Sequence, residues 1–311
     1  MSGASVIQRR RRAAATLGAG ALAVLGVVLI ARDCGDAAVR QPAASAIAER
    51  RLDAQRERSQ AAIEERMATR MRERRAIAAT RTQTPVVRFA GPGRKRVALT
   101  FDDGPGPDTE RILDVLRDAG AQSTFFVLGG RVRGREATLH RIVAEGHEIG
   151  DHTWSHGDLT RLSRRAQRAE IRSQAYLIER LGLPRPLLMR PPYGAFDQRT
   201  MLEVKRAGML VALWSVDPED YDAASARQLR RAVLRSAGAG SIVLLHDGPA
   251  SRAVTLRALP SLIRALKQRG YRLVTASTLI ASSRPPTEQD LGRVSSGDSR
   301  ISGRGARSKR R

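Results

Sequence analysis

Two neighbouring carboxylates, Asp102 and Asp103, close an apolar run in the stretch Thr100-Phe101-Asp102-Asp103-Gly104-Pro105. Side by side at a strand end, both stay ionised only if a cation or hydrogen bonds compensate their repulsion. Such a pair suits base catalysis or metal ligation, and an Asp in a turn equally serves to cap a helix. His152 and His156 stand four residues apart in His152-Thr-Trp-Ser-His156. On a helix or a helical turn that spacing puts both imidazoles on one face, where they can bind one ion. One carboxylate oxygen and two nitrogens leave coordination positions open, as in a catalytic rather than a structural zinc site.

These residues need a scaffold that brings distant positions together, and the sequence supplies one. Short β-rich apolar runs occupy Val97–Phe101, Ser123–Leu128, His147–Asp151, Leu187–Arg190, Leu210–Trp214, Ile242–His246 and Arg272–Thr275. Amphipathic patterns lie between several of them, at Asp108–Asp118, Glu136–Glu145, Arg161–Leu181, Asp197–Arg206, Ala224–Ser236 and Ala253–Arg269. In the first, Ile112, Leu113 and Leu116 share one face and Gly120 ends the helix. About seven strand and helix units predict a parallel α/β architecture. Chemically capable residues follow the runs in one direction: Asp102 and Asp103, His152, Arg190, Asp217 and His246. A parallel barrel gathers the carboxyl ends of its strands on one face, whereas a doubly wound open sheet clusters fewer of them.

Five segments then carry a family resemblance: Asp102-Asp103, His152 with His156, Arg190-Pro-Pro-Tyr193-Gly, Trp214-Ser-Val-Asp217-Pro-Glu-Asp220-Tyr221, and Ile242-Val-Leu-Leu-His246. Their order resembles that of the five motifs of the NodB-homology polysaccharide deacetylases, carbohydrate esterase family four, over residues 95–280. The resemblance implies a distorted (β/α)-type barrel with about seven parallel strands and an active site at their carboxyl ends. It makes Asp103, His152 and His156 ligands of one divalent ion, zinc by preference, with cobalt, nickel or manganese accepted by the same donors. Asp102 becomes the general base and His246 the general acid, with Arg190 and Asp220 orienting or tuning them. Tyr193 offers its main-chain N–H to the oxyanion, and Leu244 and Tyr221 line the slot for the acetyl methyl. The implied reaction is removal of acetyl groups from N-acetylhexosamines, most readily in peptidoglycan, with chitin-like oligomers or an exported polysaccharide as alternatives. The fourth motif departs from the family at Tyr221, where Trp is usual. Asp217 reads as a second tuning carboxylate or a turn residue before Pro218, His147 as a structural residue, His140 as exposed, and Trp214 as core or pocket wall.

The flanks read differently. The 311 residues hold 55 Lys and Arg against 31 Asp and Glu, a net charge of +24, and much of the surplus lies outside the middle. Basic residues number 18 against 8 acidic in 1–94, and 8 against 3 in 284–311. Cations Arg9–Arg12 precede Ala13–Ala31, 19 residues without a charge. As a helix that segment is about 28 Å long, enough to span a bilayer. It predicts a signal-anchor, with a cleaved export signal as the alternative, and leaves residues 1–12 in the cytoplasm and the rest of the chain outside. Residues 32–94 predict a charged helical stalk, 95–281 the catalytic domain, and 282–311 a disordered basic tail. Cys34 alone excludes an intramolecular disulfide framework and a cysteine-based metal cluster. An N-acetylated glycan, the cytoplasmic membrane through Ala13–Ala31, and anionic wall polymers or lipids are the expected partners. Nucleic acid fits poorly with an export segment, and a non-catalytic glycan binder on the same fold would have lost one of the site residues.

Overall fold

A computed structural model describes residues 40–289, with side chains from residue 47. The segments expected to be cytoplasmic (1–12) and membrane-spanning (13–31), Cys34, and most of the basic tail lie outside the described residues. No helix among the described residues is long and apolar enough to cross a membrane. The chain divides into two compact units, 1–61 and 62–311. Of the first, the described part is the opening portion of helix α1 (Arg40–Gln83). In the second, parallel strands follow the order β1-β6-β5-β4-β3-β2-β7, and β8 pairs separately with β2. The strands are β1 (Val86–Val87), β2 (Arg96–Asp102), β3 (Ser123–Val127), β4 (Glu148–Asp151), β5 (Leu188–Met189), β6 (Leu210–Ala212), β7 (Ile242–His246) and β8 (Arg272–Leu273).

Between them run α2 (Thr109–Asp118), α3 (Glu136–Ala144), α4 (Arg164–Arg180), α5 (Gln198–Arg206), α6 (Ala226–Ser236), α7 (Ala253–Gln268) and α8 (Ala276–Ser282). The sheet curls into a half-barrel. Its strands are buried on both faces, so their residues alternate between two apolar clusters rather than between core and solvent. Leu99, Phe101, Phe125, Val243 and Leu245 pack outward against Ile112, Leu113 and Leu116 of α2 and Leu259 and Leu262 of α7. Ala98, Phe126, Ala212 and Ile242 fill the other side with Leu279 and Ile280 of α8. The seven expected runs and six expected helices all form, within a few residues at their ends.

Three boundaries differ from expectation. The folded unit begins well before Lys95, because Val86 and Val87 add a strand beside β6 and Ile77 of α1 is 1% exposed in the inner cluster. Elsewhere on α1 the thin apolar stripe, Ile47, Leu52, Ile63, Met67 and Met71, is exposed as a solvated helix requires. The run Leu187–Arg190 shortens to two strand residues, because Arg190 turns into the interior. Residues 282–289 are not a free tail either. The Gln289 side-chain carbonyl accepts from the main-chain N–H groups of Arg88 and Phe89, and the Thr84 hydroxyl donates to Pro286 O.

Candidate functional site

At the carboxyl ends of the strands the register does the assembling. Asp102 of β2 pairs with His246 of β7 on one side and with Phe126 of β3 on the other, while Asp151 of β4 pairs with Met189 of β5. Loops leaving these ends bend sharply. Among the described residues the five non-glycine positions with positive φ are Asp103, Thr153, His156, Tyr193 and Glu219, and all lie in these loops. Each left-handed residue costs about 1 kcal/mol or more, so the surroundings must hold it. The main-chain N–H groups of Trp154 and Ser155 both donate to Glu170 Oε2 of α4, at 3.0 and 2.8 Å. That carboxylate fixes the loop between the two histidines.

His152 and His156 therefore do not share a helix face, contrary to the expectation from their spacing. They sit in an extended turn after β4, and Thr153 and His156 supply the left-handed kinks that fold one imidazole toward the other. Their ring centroids are 5.0 Å apart. Asp103 Oδ1 lies 3.4 Å from His152 Nε2 and 3.1 Å from His156 Nε2, and all three donor atoms fall within 4.8 Å of one another. The His152 Nδ1–H donates to Arg190 O at 2.7 Å, which leaves the Nε2 lone pair facing Asp103. Asp103 Oδ1 is buried without a hydrogen bond, a polar atom whose burial calls for a cation. Burial opposes its charge, but the two imidazoles in their protonated form outweigh it through hydrogen bonds and charge and hold the carboxyl well below its usual range. Three converging donors of these types, one of them otherwise orphaned, fit a divalent metal.

Beside them stands a buried ion pair. Arg190, 0% exposed, donates from Nη1 to Asp102 Oδ1 at 2.7 Å and to the Thr100 hydroxyl at 2.8 Å. Its remaining donors reach Ala212 O at 3.0 Å and Leu213 O at 2.9 Å. The guanidinium lies 4.1 Å over the Phe126 ring and 5.6 Å over Trp214. Trp214 is half-buried and packs against two of the apolar clusters, the core role of the two expected for it.

The third group is His246 with Asp220. His246 Nδ1–H donates to Asp220 Oδ1 at 2.6 Å, and His246 N donates to Oδ2 at 3.0 Å. Burial lowers the histidine, but the bond to Asp220 and the charges of Asp220, Asp102 and Asp103 outweigh it, so His246 titrates above its ordinary value. The shift favours the protonated ring, the form that can donate to a leaving group. Leu244, two residues earlier on β7, is buried on the side of His246. Tyr221 meets His246 edge-on at 5.5 Å, and Tyr193 meets His156 edge-on at 4.7 Å. Both tyrosines are exposed, at 53% and 71%, and border the site on opposite sides. Asp217 makes the turn expected of it, Oδ1 accepting from Glu219 N; burial raises its carboxyl. His147 is buried with Nδ1 accepting from Ser123 N, a structural role, and His140 is exposed.

All ten expected site residues thus meet on one face. Several supporting residues were not anticipated. Thr255 of α7 donates its hydroxyl to Asp220 Oδ2 at 2.7 Å. Asp247 is buried beneath the loop after β2, where it accepts from the Thr109 hydroxyl at 2.6 Å. Gly104 has no room for a side chain there, since a Cβ would fall 2.2 Å from an Asp247 carboxylate oxygen. The acidic residue directly after His246 and the glycine after Asp103 were the available signals; Thr255 gave none.

Residues 90–212 match the family described as polysaccharide deacetylase. The chain is 42% identical over 189 residues to the peptidoglycan-N-acetylmuramic acid deacetylase PdaC of Bacillus subtilis, a match covering 60% of this chain and 39% of that protein. It is 38% identical to a peptidoglycan-N-acetylglucosamine deacetylase of Bacillus cereus, over 60% of this chain and 88% of the other. Among solved structures, the Bc1960 peptidoglycan N-acetylglucosamine deacetylase superposes with a TM-score of 0.62 at 31% identity, covering 67% of this chain and 97% of that one.

Proposed function

Since the chain belongs to the polysaccharide deacetylase family, we propose that it is a metal-dependent hydrolase of N-acetyl groups in peptidoglycan. One observation carries this reading above the others: the Asp103, His152 and His156 donors, the Asp102 carboxylate and the His246 imidazole bound to Asp220 gather at the carboxyl ends of the strands. A divalent cation, zinc by the Asp and two His donors, would be held by Asp103, His152 and His156 and would supply Lewis acidity toward the acetamide carbonyl. The residues of the chain do the rest. Asp102, fixed by Arg190, accepts a proton from the attacking water. His246, held by Asp220, delivers a proton from Nε2 to the departing amine nitrogen. The bond to Asp220 keeps His246 Nδ1 protonated and its Nε2 aimed into the cleft, the orienting role that a carboxylate plays beside any catalytic imidazole. The main-chain N–H of Tyr193 supports the oxyanion of the tetrahedral state, with Leu244 and Tyr221 bordering the acetyl methyl.

Ala13–Ala31 supports an exported, membrane-anchored enzyme whose catalytic domain meets the wall outside the cytoplasmic membrane. The basic flanks are suited to contacts with anionic wall polymers or lipids. The test is acetate release from peptidoglycan and from N-acetylglucosamine oligomers by the full chain, stripped of metal and then restored with zinc. Release that requires zinc and disappears in Asp103→Ala supports the reading. Zinc binding without acetate from either glycan refutes it.

A further inference from the structure

Next to the metal ligands lies a second feature that the proposed reaction does not use. A cavity of about 440 Å³ opens beside Asp103 and His156, lined also by Leu128, Arg131, Trp154 and Pro249. Its floor is built with care. The short 3₁₀ turn Gly129–Arg131 follows β3, and its N–H groups are tied to the histidine loop, Gly129 N to Thr153 O at 3.0 Å and Gly130 N to Trp154 O at 2.9 Å. A Cβ on Gly129 would sit 2.5 Å from the Trp154 ring. The paired glycines therefore let the indole lie directly on the backbone. Glu170 pins the same loop from below. Trp154 is 40% exposed, an aromatic face fixed in place and open toward the site, suited to stacking on a sugar ring.

Arg131 ends that turn and is half-buried. It lines the cavity, yet among the described residues it makes no ion pair and no side-chain hydrogen bond. Most other half-buried or buried arginines on this face are committed, Arg190 to Asp102 and Arg252 to Gly248 O. A cation partly withdrawn from water and left without an acceptor gains most from an anionic ligand. The guanidinium matches a carboxylate in particular, through two parallel N–H bonds. Arg133 and Arg135 continue the positive rim outward on the exposed part of the same loop.

We propose that Arg131 and Trp154 form a subsite for a carboxylate-bearing sugar, Trp154 stacking on the ring and Arg131 holding the carboxylate. The subsite makes Arg131 the specificity-determining residue for an acidic glycan, such as one carrying a lactyl ether, over a neutral one. This rests on the deacetylase reading for its location, but its own content is a preference among glycans.

The experiment uses the full chain with zinc and two oligosaccharides of alternating N-acetylglucosamine and N-acetylmuramic acid that differ in one group: lactyl carboxylates free, or all converted to methyl esters. Affinity is measured by calorimetry, and acetate release is measured in parallel. Expected is a preference of about tenfold for the free acid, the worth of one partly exposed ion pair with a fixed acceptor. The preference collapses toward unity in Arg131→Gln, returns in part in Arg131→Lys, and shrinks in high salt. Equal affinity for the two oligosaccharides overturns the inference, as does a preference that Arg131→Gln leaves intact. If the affinity preference holds and depends on Arg131 while no acetate appears, the subsite stands and the reaction assigned to the neighbouring residues falls.

Discussion

Asp220→Asn separates the acid half of the site from the rest. The native carboxylate accepts three hydrogen bonds: from His246 Nδ1–H, His246 N and the Thr255 hydroxyl. The last two fall on Oδ2, and an asparagine keeps both through its carbonyl oxygen. That choice turns the amide NH2 toward His246 Nδ1, where it donates, so the ring must carry its proton on Nε2 and loses the charge that supports the imidazolium. With Asp220 neutral, burial is opposed by fewer charges and His246 titrates lower than in the native enzyme. The charge-assisted bond at 2.6 Å is worth about 2 kcal/mol. The weakened acid forfeits part of a general-acid contribution of about 10²–10⁴. We expect kcat/KM to fall about 10²–10³-fold, a barrier increase of about 3–4 kcal/mol, and the alkaline limb of the pH profile to move to lower pH. Acetate release is followed across neutral and alkaline pH, with thermal melting to show that the fold survives. An unmoved alkaline limb together with a loss under about threefold would refute the assignment of His246 as the acid.

Asp103→Ala removes the carboxylate that faces both imidazoles; zinc affinity measured by calorimetry should weaken more than about a hundredfold, and the rise in melting temperature expected when zinc is added to the native protein should vanish with it. Ile77→Ala, on the helix expected to be mere stalk, should destabilise the catalytic unit by about 2–4 kcal/mol in denaturant, and a change below about 0.5 kcal/mol would return that helix to the role of a spacer. Burial, joined by the charges of Asp102 and Asp103, pushes the Asp247 carboxyl up to about 7. Its folded-state value lies above the unfolded one of about 4, so its contribution is complete at acid pH and is lost as the pH climbs toward 7. In chelator, denaturant midpoints of the native protein should fall between about pH 4.5 and about pH 7.5, and Asp247→Asn should flatten that fall; a parallel decline in both proteins would show that other groups cause it.

The parts of the molecule that were legible in advance are those where pattern and packing coincide. Ile112, Leu113 and Leu116 announce α2 because one face of it is buried, and Ile242–His246 reads as a strand because both its faces are. Asp102, Asp103, His152, Arg190 and His246 were legible because they stand at the ends of such runs, and parallel pairing turns that position into proximity; Tyr193, Asp220, Tyr221 and Leu244 came from the family resemblance alone. Elements decided by few contacts stayed hidden. Val86–Val87 is two residues long, with no alternation to detect, and α8 is a single short helix whose Ser277 is committed to Glu148 through a buried hydrogen bond. The anchoring of α1 hangs on Ile77, on Glu73, which accepts from the Thr278 hydroxyl, and on Arg70, which faces Glu148 at 3.7 Å, amid a helix rich in charge. His152 and His156 misled for a different reason. Their spacing fits a helix, but Glu170, sixteen residues from Trp154, decides the loop, and no local pattern records a contact at that range.

Arg190 joins two demands that most proteins keep apart. β6 and β7 do not pair directly: β6 ends at Ala212, and the chain beyond it reaches β7 at Ser215, whose N–H donates to Ile242 O, and at Val216, which bridges Val243. The carbonyls of Ala212 and Leu213 at this seam are taken up by the guanidinium that also neutralises Asp102. A side chain thus stands in for the rungs missing just before that bridge, and the reaction centre shares in holding this part of the frame. That arrangement constrains how such a protein decays once its activity is no longer selected. Asp103, whose Oδ1 makes no hydrogen bond, can be exchanged with little injury to the frame, so an idle descendant sheds it first. Arg190 must be among the last to go, because losing it opens the seam and strands a buried carboxylate in the same stroke. A lineage that keeps Arg190 while its neighbours drift would be the fossil of an enzyme, still folded around the centre it no longer uses.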